Sequence, residues 1–281
     1  MARIILIETS TALCSVALAE DGRIVAYKES ETPRAQASLT APFVKDLLDA
    51  RGLGVRDCDA VCVSKGPGSY TGLRVGVSTA KGLCFGAGIP LIAVGTLDTL
   101  VYQAADSSLL SVAPKDLPSG TSVSSVTPGT PVTSGTSNPF ASSFRYIVPM
   151  VDARRMEVYT AVFTPDGRQL TETRPQVIES LCQVIGTRQP SSTADPVAET
   201  PITIADLLAE GPVLFIGDGA GKCQEALAHP NAHFAQCCPK ASAMLRPAFA
   251  AWNEKRFEDT AYFEPFYLKE FIATVPRRRL F

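Results

Sequence analysis

The feature that most limits the fold of this chain is a pattern that occurs twice. In each copy an apolar strand ends at an acidic residue, a second strand follows, and an Asp-Gly pair begins a third strand. The acids are Glu8 and Asp152, and the turns are Asp21-Gly22 and Asp166-Gly167. An Asp-Gly pair between strands is typical of a tight β-hairpin. The pattern therefore predicts a three-stranded meander at the start of each copy.

Each meander is followed by the same further elements. We expect a helix at about 38–51 and again at about 176–186, a strand at 60–64 and at 213–216, and a glycine turn into another helix after each of these strands. Two successive βββαβα units indicate an α/β protein with two lobes, each built on its own sheet.

Segments of different composition divide the chain. Residues 106–144 are rich in Ser, Thr, Pro and Gly, and a second such stretch covers 188–201. Such composition cannot bury enough apolar area to offset its conformational entropy, which predicts mobile insertions. We therefore expect one lobe over residues 1–105 and another over 145–281. In the second lobe, a helix at about 241–257 should belong to the core. The aromatic segment at 263–268 should dock against a lobe.

The segment from Lys65 to Leu83 reads KGPGSYTGLRVGVSTAKGL. It predicts a strand end, a tight glycine turn and a helix with Ser69 as its N-cap. The N–H groups at such a helix start suit an anion or the backbone of a partner. Gly72, Gly76 and Ala80 recur every four residues, so one helix face has almost no side chains. Close packing inside the monomer and a surface for another helix both explain that face.

Gly66-Pro67-Gly68-Ser69-Tyr70-Thr71-Gly72-Leu73-Arg74-Val75-Gly76 closely resembles the signature of the TsaB family, also called YeaZ. The opening Ile4–Thr11 resembles that family's first strand and loop, and the match is close across residues 1–105. The resemblance implies two ribonuclease-H-like lobes of the actin-like ATPase (ASKHA) superfamily. The duplicated βββαβα pattern describes the same architecture.

The resemblance also implies a function. Such a subunit pairs with a catalytic paralogue, TsaD, works with an ATPase, TsaE, and contacts tRNA only indirectly. Together they form N6-threonylcarbamoyladenosine at position 37 of tRNAs reading ANN codons. The two helices of the first lobe are implied to meet the paralogue, or a second copy of the chain when the paralogue is missing. The expected contact residues are Leu39, Phe43, Leu47, Gly72, Arg74, Gly76 and Ala80.

The cleft between the lobes offers a candidate anion or nucleotide contact. In active members of the wider fold, the acid after the first strand positions a metal-bound nucleotide, and Glu8 and Asp152 stand at these places. The full candidate set is Glu8, Thr9, Ser10, Gly66, Gly68, Ser69 and Asp152. Alternatively, Glu8 caps a turn and Asp152 pairs with Arg154 or Arg155. We expect no intrinsic cofactor. Binding of ATP or ADP at the subunit junction is an open alternative.

Residues for independent catalysis are sparse. The first long helix has no histidine, and Pro230 lies between His229 and His233, which removes the helical geometry that would bring both rings to one ion. His233 with Cys237 and Cys238 is the nearest approach to a zinc set. We therefore expect no metal site. A peptidase acting through Ser69 lacks an evident base. The alternatives are a stand-alone ATPase or small-molecule kinase and, third, a peptidase.

Composition limits the partners further. A net charge of −2 over 281 residues argues against a broad nucleic-acid-binding face. No apolar run approaches the ~20 residues of a membrane span, and no secretion signal is evident, so we expect a cytoplasmic protein. Cysteines 14, 62 and 84 are expected to be buried. Arg74 and Lys81 are assigned to a solvated helix face, and the basic tail 276–281 is a candidate phosphate contact.

Overall fold

Both halves of the chain contain a five-stranded mixed sheet, as the repeated pattern predicts. A computed structural model describes residues 2–105, 143–181, 184–187 and 201–269. The first sheet has the order β3-β2-β1-β4-β5. Its strands are β1 (Arg3–Glu8), β2 (Cys14–Glu20), β3 (Arg23–Ser30), β4 (Ala60–Gly66) and β5 (Leu91–Gly95).

The second sheet repeats this order. Read from its other edge, the order is β8-β7-β6-β11-β12. The three meander strands therefore again stand in the order third, second, first, and the two later strands follow them. These strands are β6 (Tyr146–Asp152), β7 (Glu157–Thr160), β8 (Arg174–Val177), β11 (Val213–Ile216) and β12 (Ala232–Ala235). The hairpin β9 (Val184–Thr187) and β10 (Pro201–Thr203) stands apart as a two-stranded sheet. The predicted pair of ribonuclease-H-like units is confirmed.

Six helices connect and cover the described strands. They are α1 (Gln36–Asp49), α2 (Tyr70–Ala87), α3 (Thr96–Ala105), α4 (Ile204–Glu210), α5 (Ala220–Cys223) and α6 (Leu245–Asn253). Helices α1 and α2 cover one face of the first sheet, where Val44 and Val77 meet Ile5 and Ile7. Because both faces of this sheet are covered, β1 and β4 are apolar almost throughout.

The two lobes exchange their last helices. Leu100 and Val101 of α3 follow the first sheet in sequence but pack on Ile147 and Ile216 of the second. Residues 241–253 follow the second sheet but pack on the first, where Met244 joins the core of β1 and β4. The predicted boundaries, 1–105 and 145–281, therefore do not describe the two packed units. Sequence order alone cannot show which sheet a terminal helix covers.

The helix predicted at 176–186 is wrong. That stretch contains the end of β8, a single 3-10 turn at Ile178–Ser180 and strand β9. Ile178, Leu181 and Ile185 are buried, and their spacing imitates a helix although they reach the core from a turn and a strand. The helix before β11 is α4, placed after an extra hairpin. The helix predicted at 241–257 is present as a 3-10 turn (Ala241–Met244) and α6.

Several sequence predictions fall on other parts of the chain. Residues 106–142 and 188–200, which contain nearly all of the two Ser/Thr-rich stretches, and the basic tail at 276–281 lie outside the described residues. Among the helices of the described ranges, none is long and apolar enough to cross a membrane.

Candidate functional site

The signature segment, residues 65–83, joins β4 to α2. The Ser69 side chain accepts a hydrogen bond from the Gly72 N–H group at 3.4 Å, which confirms the predicted N-cap. The Ser69 N–H group donates to the carbonyl oxygen of Ser10 at 2.6 Å. The start of α2 therefore already binds the loop between β1 and β2 through this group. The helix ends at Gly88, in the left-handed conformation with φ of 72°.

The glycine face of α2 packs against that same loop. The Thr9 hydroxyl donates to the carbonyl oxygen of Gly72 at 2.8 Å. A Cβ atom added to Gly72 would stand 2.1 Å from the Thr9 carbonyl oxygen, and one on Gly76 would stand 2.3 Å from Thr9 Oγ1. Both glycines are required because backbone and hydroxyl of the loop occupy the space of a side chain. The bare face is therefore used inside the monomer.

This packing corrects the predicted partner surface. Gly72, Gly76, Ala80 and Leu47 are all buried, Ala80 completely, so no partner reaches them in this conformation. The periodicity showed that a close approach is needed, but it did not show which backbone approaches. Of the expected contact residues, only Leu39, Phe43 and Arg74 retain exposed surface.

The opposite face of α2 is open to solvent. One side of the helix carries five exposed residues: Thr71, Arg74, Ser78, Gly82 and Phe85. Phe85 is 88% exposed. Nothing lies within 4 Å of a Cβ atom placed on Gly82 or on the neighbouring Gly86. We call this stripe the outer face of α2. Sequence reasoning missed Phe85, although its position outside the Leu73, Val77, Cys84 stripe was a usable signal.

Aromatic rings and cations flank this surface. Arg74 places its guanidinium 4.8 Å from the centre of the Tyr70 ring, and Tyr70 in turn lies 4.9 Å from the ring of Tyr267. The ammonium of Lys28, on β3, lies 5.7 Å from the ring of Phe43, on α1, and this ring also packs against the core. These contacts hold the exposed cations at fixed places beside α1 and α2.

The Glu8 carboxyl is completely buried at the end of β1. Its Oε1 atom accepts hydrogen bonds from the Ser10 N–H group at 2.7 Å and from the Ser64 hydroxyl at 2.9 Å. The Oε2 atom and the buried hydroxyls of Ser10 and Thr11 have no hydrogen-bond partner within the described residues. Burial raises the pKa of Glu8 from 4.5 to about 7, against the lowering effect of its hydrogen bonds.

Asp152 belongs to a separate cluster. Its carboxylate accepts from the Lys222 ammonium at 2.7 Å and from the Arg154 N–H group at 2.6 Å. The side chain of Asp218 accepts from the Asp152 N–H group at 2.9 Å, and burial raises the pKa of Asp218 to about 6. Among the described contacts none joins this cluster to Glu8. Asp152 is thus paired, as the alternative interpretation expected, but with Lys222 and a backbone N–H group.

The observed burial of the candidate anion contacts differs from that of an open cleft. Glu8, Thr9 and Ser10 are completely buried, whereas Gly68 and Ser69 are partly exposed. Because the first three lie beneath the signature segment, a nucleotide would reach them only after that segment moved.

The histidines occupy structural positions. His229 accepts through Nδ1 from the Asn231 N–H group at 3.1 Å, and the His233 ring lies edge-on to Phe144 at 5.4 Å. Over the described ranges, no group of three or more His, Cys, Asp or Glu side chains is placed to hold a metal ion. The predicted burial of Cys14, Cys62 and Cys84 is confirmed.

The C-terminal strap, residues 258–269, ties the lobes together. Lys81 donates to the carbonyl oxygens of Ala261 and Phe263, both at 3.0 Å, and the Phe266 N–H group donates to the Lys65 carbonyl oxygen at 2.7 Å. Lys269 then pairs with Glu157 of the second lobe. The expected docking of the aromatic segment is confirmed. The assignment of Lys81 to a solvated face is wrong, because its ammonium binds the strap.

Comparison with known sequences finds similarity to TsaD and TsaB proteins. The family model described as TsaD, tRNA N6-adenosine threonylcarbamoyltransferase, matches residues 30–114. The TsaB protein of Escherichia coli K12 is 42% identical over 102 residues, which is 36% of this chain and 44% of that protein. The TsaB protein of Haemophilus influenzae is 40% identical over 99 residues, or 35% and 41% of the two chains. The chain thus spans less than half of the length of these curated relatives.

Comparison with solved structures extends over nearly the whole chain. YeaZ from Pseudomonas aeruginosa superposes with a TM-score of 0.65 at 22% identity, covering 95% of this chain and all of that one. A Pseudomonas aeruginosa protein described as similar to peptidase YEAZ gives 0.66 at 23% identity and covers 96% of this chain. The chain is therefore similar in sequence to TsaB proteins over part of its length and shares the YeaZ fold over nearly all of it, which confirms the resemblance carried by its signature.

Proposed function

We propose that this chain is a non-catalytic scaffold and activator subunit for N6-threonylcarbamoyladenosine formation at position 37 of tRNAs reading ANN codons. It binds the catalytic paralogue TsaD, works with the ATPase TsaE, and contacts tRNA only through that assembly. Support comes from the relatives named TsaB, tRNA threonylcarbamoyladenosine biosynthesis protein, which are 42% and 40% identical to this chain over 102 and 99 residues.

The observation that carries the partner proposal is the outer face of α2. Phe85 is 88% exposed, and nothing lies within 4 Å of a Cβ atom placed on Gly82 or Gly86 of the same helix. Aromatic residues are enriched at the centres of protein interfaces, and the glycines allow a helix to approach the backbone closely. Leu39 and Phe43 of α1 and Arg74 of α2 add partly exposed surface. When TsaD is absent, the same face supports a homodimer.

The test is whether TsaD still co-purifies with, and binds, the variant of this chain that carries Phe85→Arg. Because a central aromatic residue often contributes about 2 kcal/mol or more to binding, we expect affinity to fall at least ~30-fold, with an unchanged circular dichroism spectrum. Met156→Arg is the matched control, because Met156 is an exposed apolar side chain (50%) on the second lobe. Undiminished binding by the Phe85 variant would exclude this face.

We also propose that ATP or ADP binds at the junction with the partner rather than to this chain alone. The burial of Glu8, Thr9 and Ser10 favours this arrangement. Nucleotide at millimolar concentration should leave the melting temperature of the isolated chain unchanged and raise that of the complex with TsaD. Stabilisation of the isolated chain, with ATP hydrolysis, would instead support the alternative of a stand-alone ATPase or small-molecule kinase.

A peptidase acting through Ser69 has less support. The Ser69 hydroxyl accepts the N-cap hydrogen bond of α2, and no described histidine contacts it. Peptide cleavage that is lost in Ser69→Ala would establish this activity.

A further inference from the structure

A cavity of about 450 Å³ lies at the seam between the two lobes. The end of β4 and the start of α3 form its walls on the first-lobe side. The hairpin before β8 faces them, and Phe266 of the strap closes a further side. This volume falls within the roughly 300–1,000 Å³ of small-molecule sites in proteins. No residue proposed for partner binding lines it.

Two of the residues that line the cavity are a cation and an anion that are not joined by an ion pair. Lys65 and Asp98 both line it, and neither forms an ion pair with a described residue. Burial raises the pKa of Asp98, and the charge of Lys65 opposes that shift. A third charged residue, Glu172, stands at the rim, where its side chain is 70% exposed and lies 3.5 Å from Arg174.

The remaining walls are held in place by the fold. Leu97, which is 2% exposed, and Phe266 both line the cavity and supply apolar surface. The Phe266 N–H group donates to the Lys65 carbonyl oxygen, which fixes the strap to the wall. On the other side, the amide of Gln169 donates to the hydroxyl of Thr173 at 3.1 Å. The cavity therefore combines two unlike charges, an amide and an apolar wall in a preformed arrangement.

This charge arrangement selects for one class of ligand. A ligand that is only an anion would be repelled by Asp98, and a ligand that is only a cation would be repelled by Lys65. In a partly desolvated space such repulsion is stronger than in water. A molecule that carries one ammonium and one carboxylate satisfies both walls at once. Charge-assisted hydrogen bonds to such groups are among the strong ones in proteins.

We propose that this cavity binds a free amino acid, whose ammonium faces Asp98, whose carboxylate faces Lys65 and whose side chain lies against Leu97 and Phe266. The site is independent of the partner-binding face of α2. Binding at the seam contacts both lobes and the strap, so the ligand also stabilises their association.

The experiment uses the full isolated chain and saturation-transfer NMR with the twenty L-amino acids, each at 1 mM. We expect signal transfer to at least one of them. For that amino acid, the amine lacking the carboxylate and the acid lacking the ammonium should each give little or no transfer. An amine or an acid that binds as well as the amino acid would overturn the proposal, as would the absence of any binder.

Two variants locate the site. Lys65→Met and Asp98→Asn should each weaken the binding measured by titration about tenfold or more, because each removes one charged partner. Lys45→Met and Asp49→Asn, which change paired and exposed charges on α1, are the matched controls and should bind normally. Thermal melts check the folding of each variant, and Lys65→Arg should retain binding. Unchanged affinity in folded Lys65→Met and Asp98→Asn would place the ligand elsewhere.

Discussion

At the scale of single residues, the glycines of α2 have two different roles. Gly72 and Gly76 face the loop that contains Thr9, where no side chain fits, whereas Gly82 faces open space. Their cost to the helix is the same, about 1 kcal/mol each relative to alanine. Only the surroundings decide whether an added methyl group is accommodated.

Gly76→Ala should lower the free energy of unfolding by about 1–2 kcal/mol, because the clash with Thr9 Oγ1 exceeds the gain in helix propensity. Gly82→Ala, at an open position of the same helix, should raise it by about 0.5–1 kcal/mol. Urea unfolding measures both. Two changes of the same sign would contradict the packing described here.

The buried Glu8 carboxyl makes stability depend on pH. Its pKa is about 7 in the folded chain against 4.5 for the ordinary value, so the folded state binds the proton more tightly. Stability therefore falls as pH rises from about 5 to 8, and the loss is complete above the folded pKa.

Glu8→Gln should remove this dependence while keeping an oxygen for the Ser10 N–H group. As pH rises from 5 to 8, the free energy of unfolding of the variant should therefore increase by roughly 2–3 kcal/mol relative to that of the unmodified chain. Denaturant titrations at the two pH values give this difference. A difference that stays constant with pH would show that Glu8 ionises normally.

At the scale of elements, α2 packs against two neighbours and exposes a third surface to solvent. Its glycine face binds the loop after β1, Lys81 binds the strap, and its outer face carries Phe85. The helix thereby connects the candidate partner surface to the interior of the first lobe and to the C-terminal segment.

Lys81→Met should loosen the strap, because the bonds from its ammonium to two carbonyl oxygens are lost. We expect hydrogen exchange of the Phe266 amide to become about tenfold faster, which corresponds to roughly 1.4 kcal/mol of local stability. Lys45→Met, on exposed α1, should leave that exchange unchanged. Equal protection of Phe266 in both variants would mean that other contacts hold the strap.

At the scale of the whole molecule, the exchange of α3 and α6 couples the lobes. Neither sheet is covered on both faces by its own sequence unit, since each depends on a helix from the other side of the chain. The strap adds a further connection through Lys269 and Glu157.

The two lobes should therefore unfold together. Fluorescence of the single tryptophan, Trp252 on α6, reports the first sheet, and amide exchange within β6 and β11 reports the second. We expect both to give the same urea midpoint. A second sheet that unfolds at clearly lower urea than the Trp252 environment would contradict this coupling.

Local pattern was sufficient for much of this protein. The apolar strands before Glu8 and Asp152, the Asp-Gly turns, and the Ser69 cap follow from residue types at fixed spacing, and these define two similar sheets. The helix expected at 176–186 failed because Ile178, Leu181 and Ile185 have helical spacing but belong to a turn and a strand. Periodicity does not separate these cases in short apolar runs.

Tertiary structure decided which surfaces face inward. The sequence determined that α2 has a glycine face and an apolar stripe, because these depend only on spacing along a helix. It did not determine that Thr9 fills the glycine face, that Lys81 holds the strap, or that Phe85 faces solvent. Each of these depends on a residue distant in sequence, and only the folded chain brings such residues together.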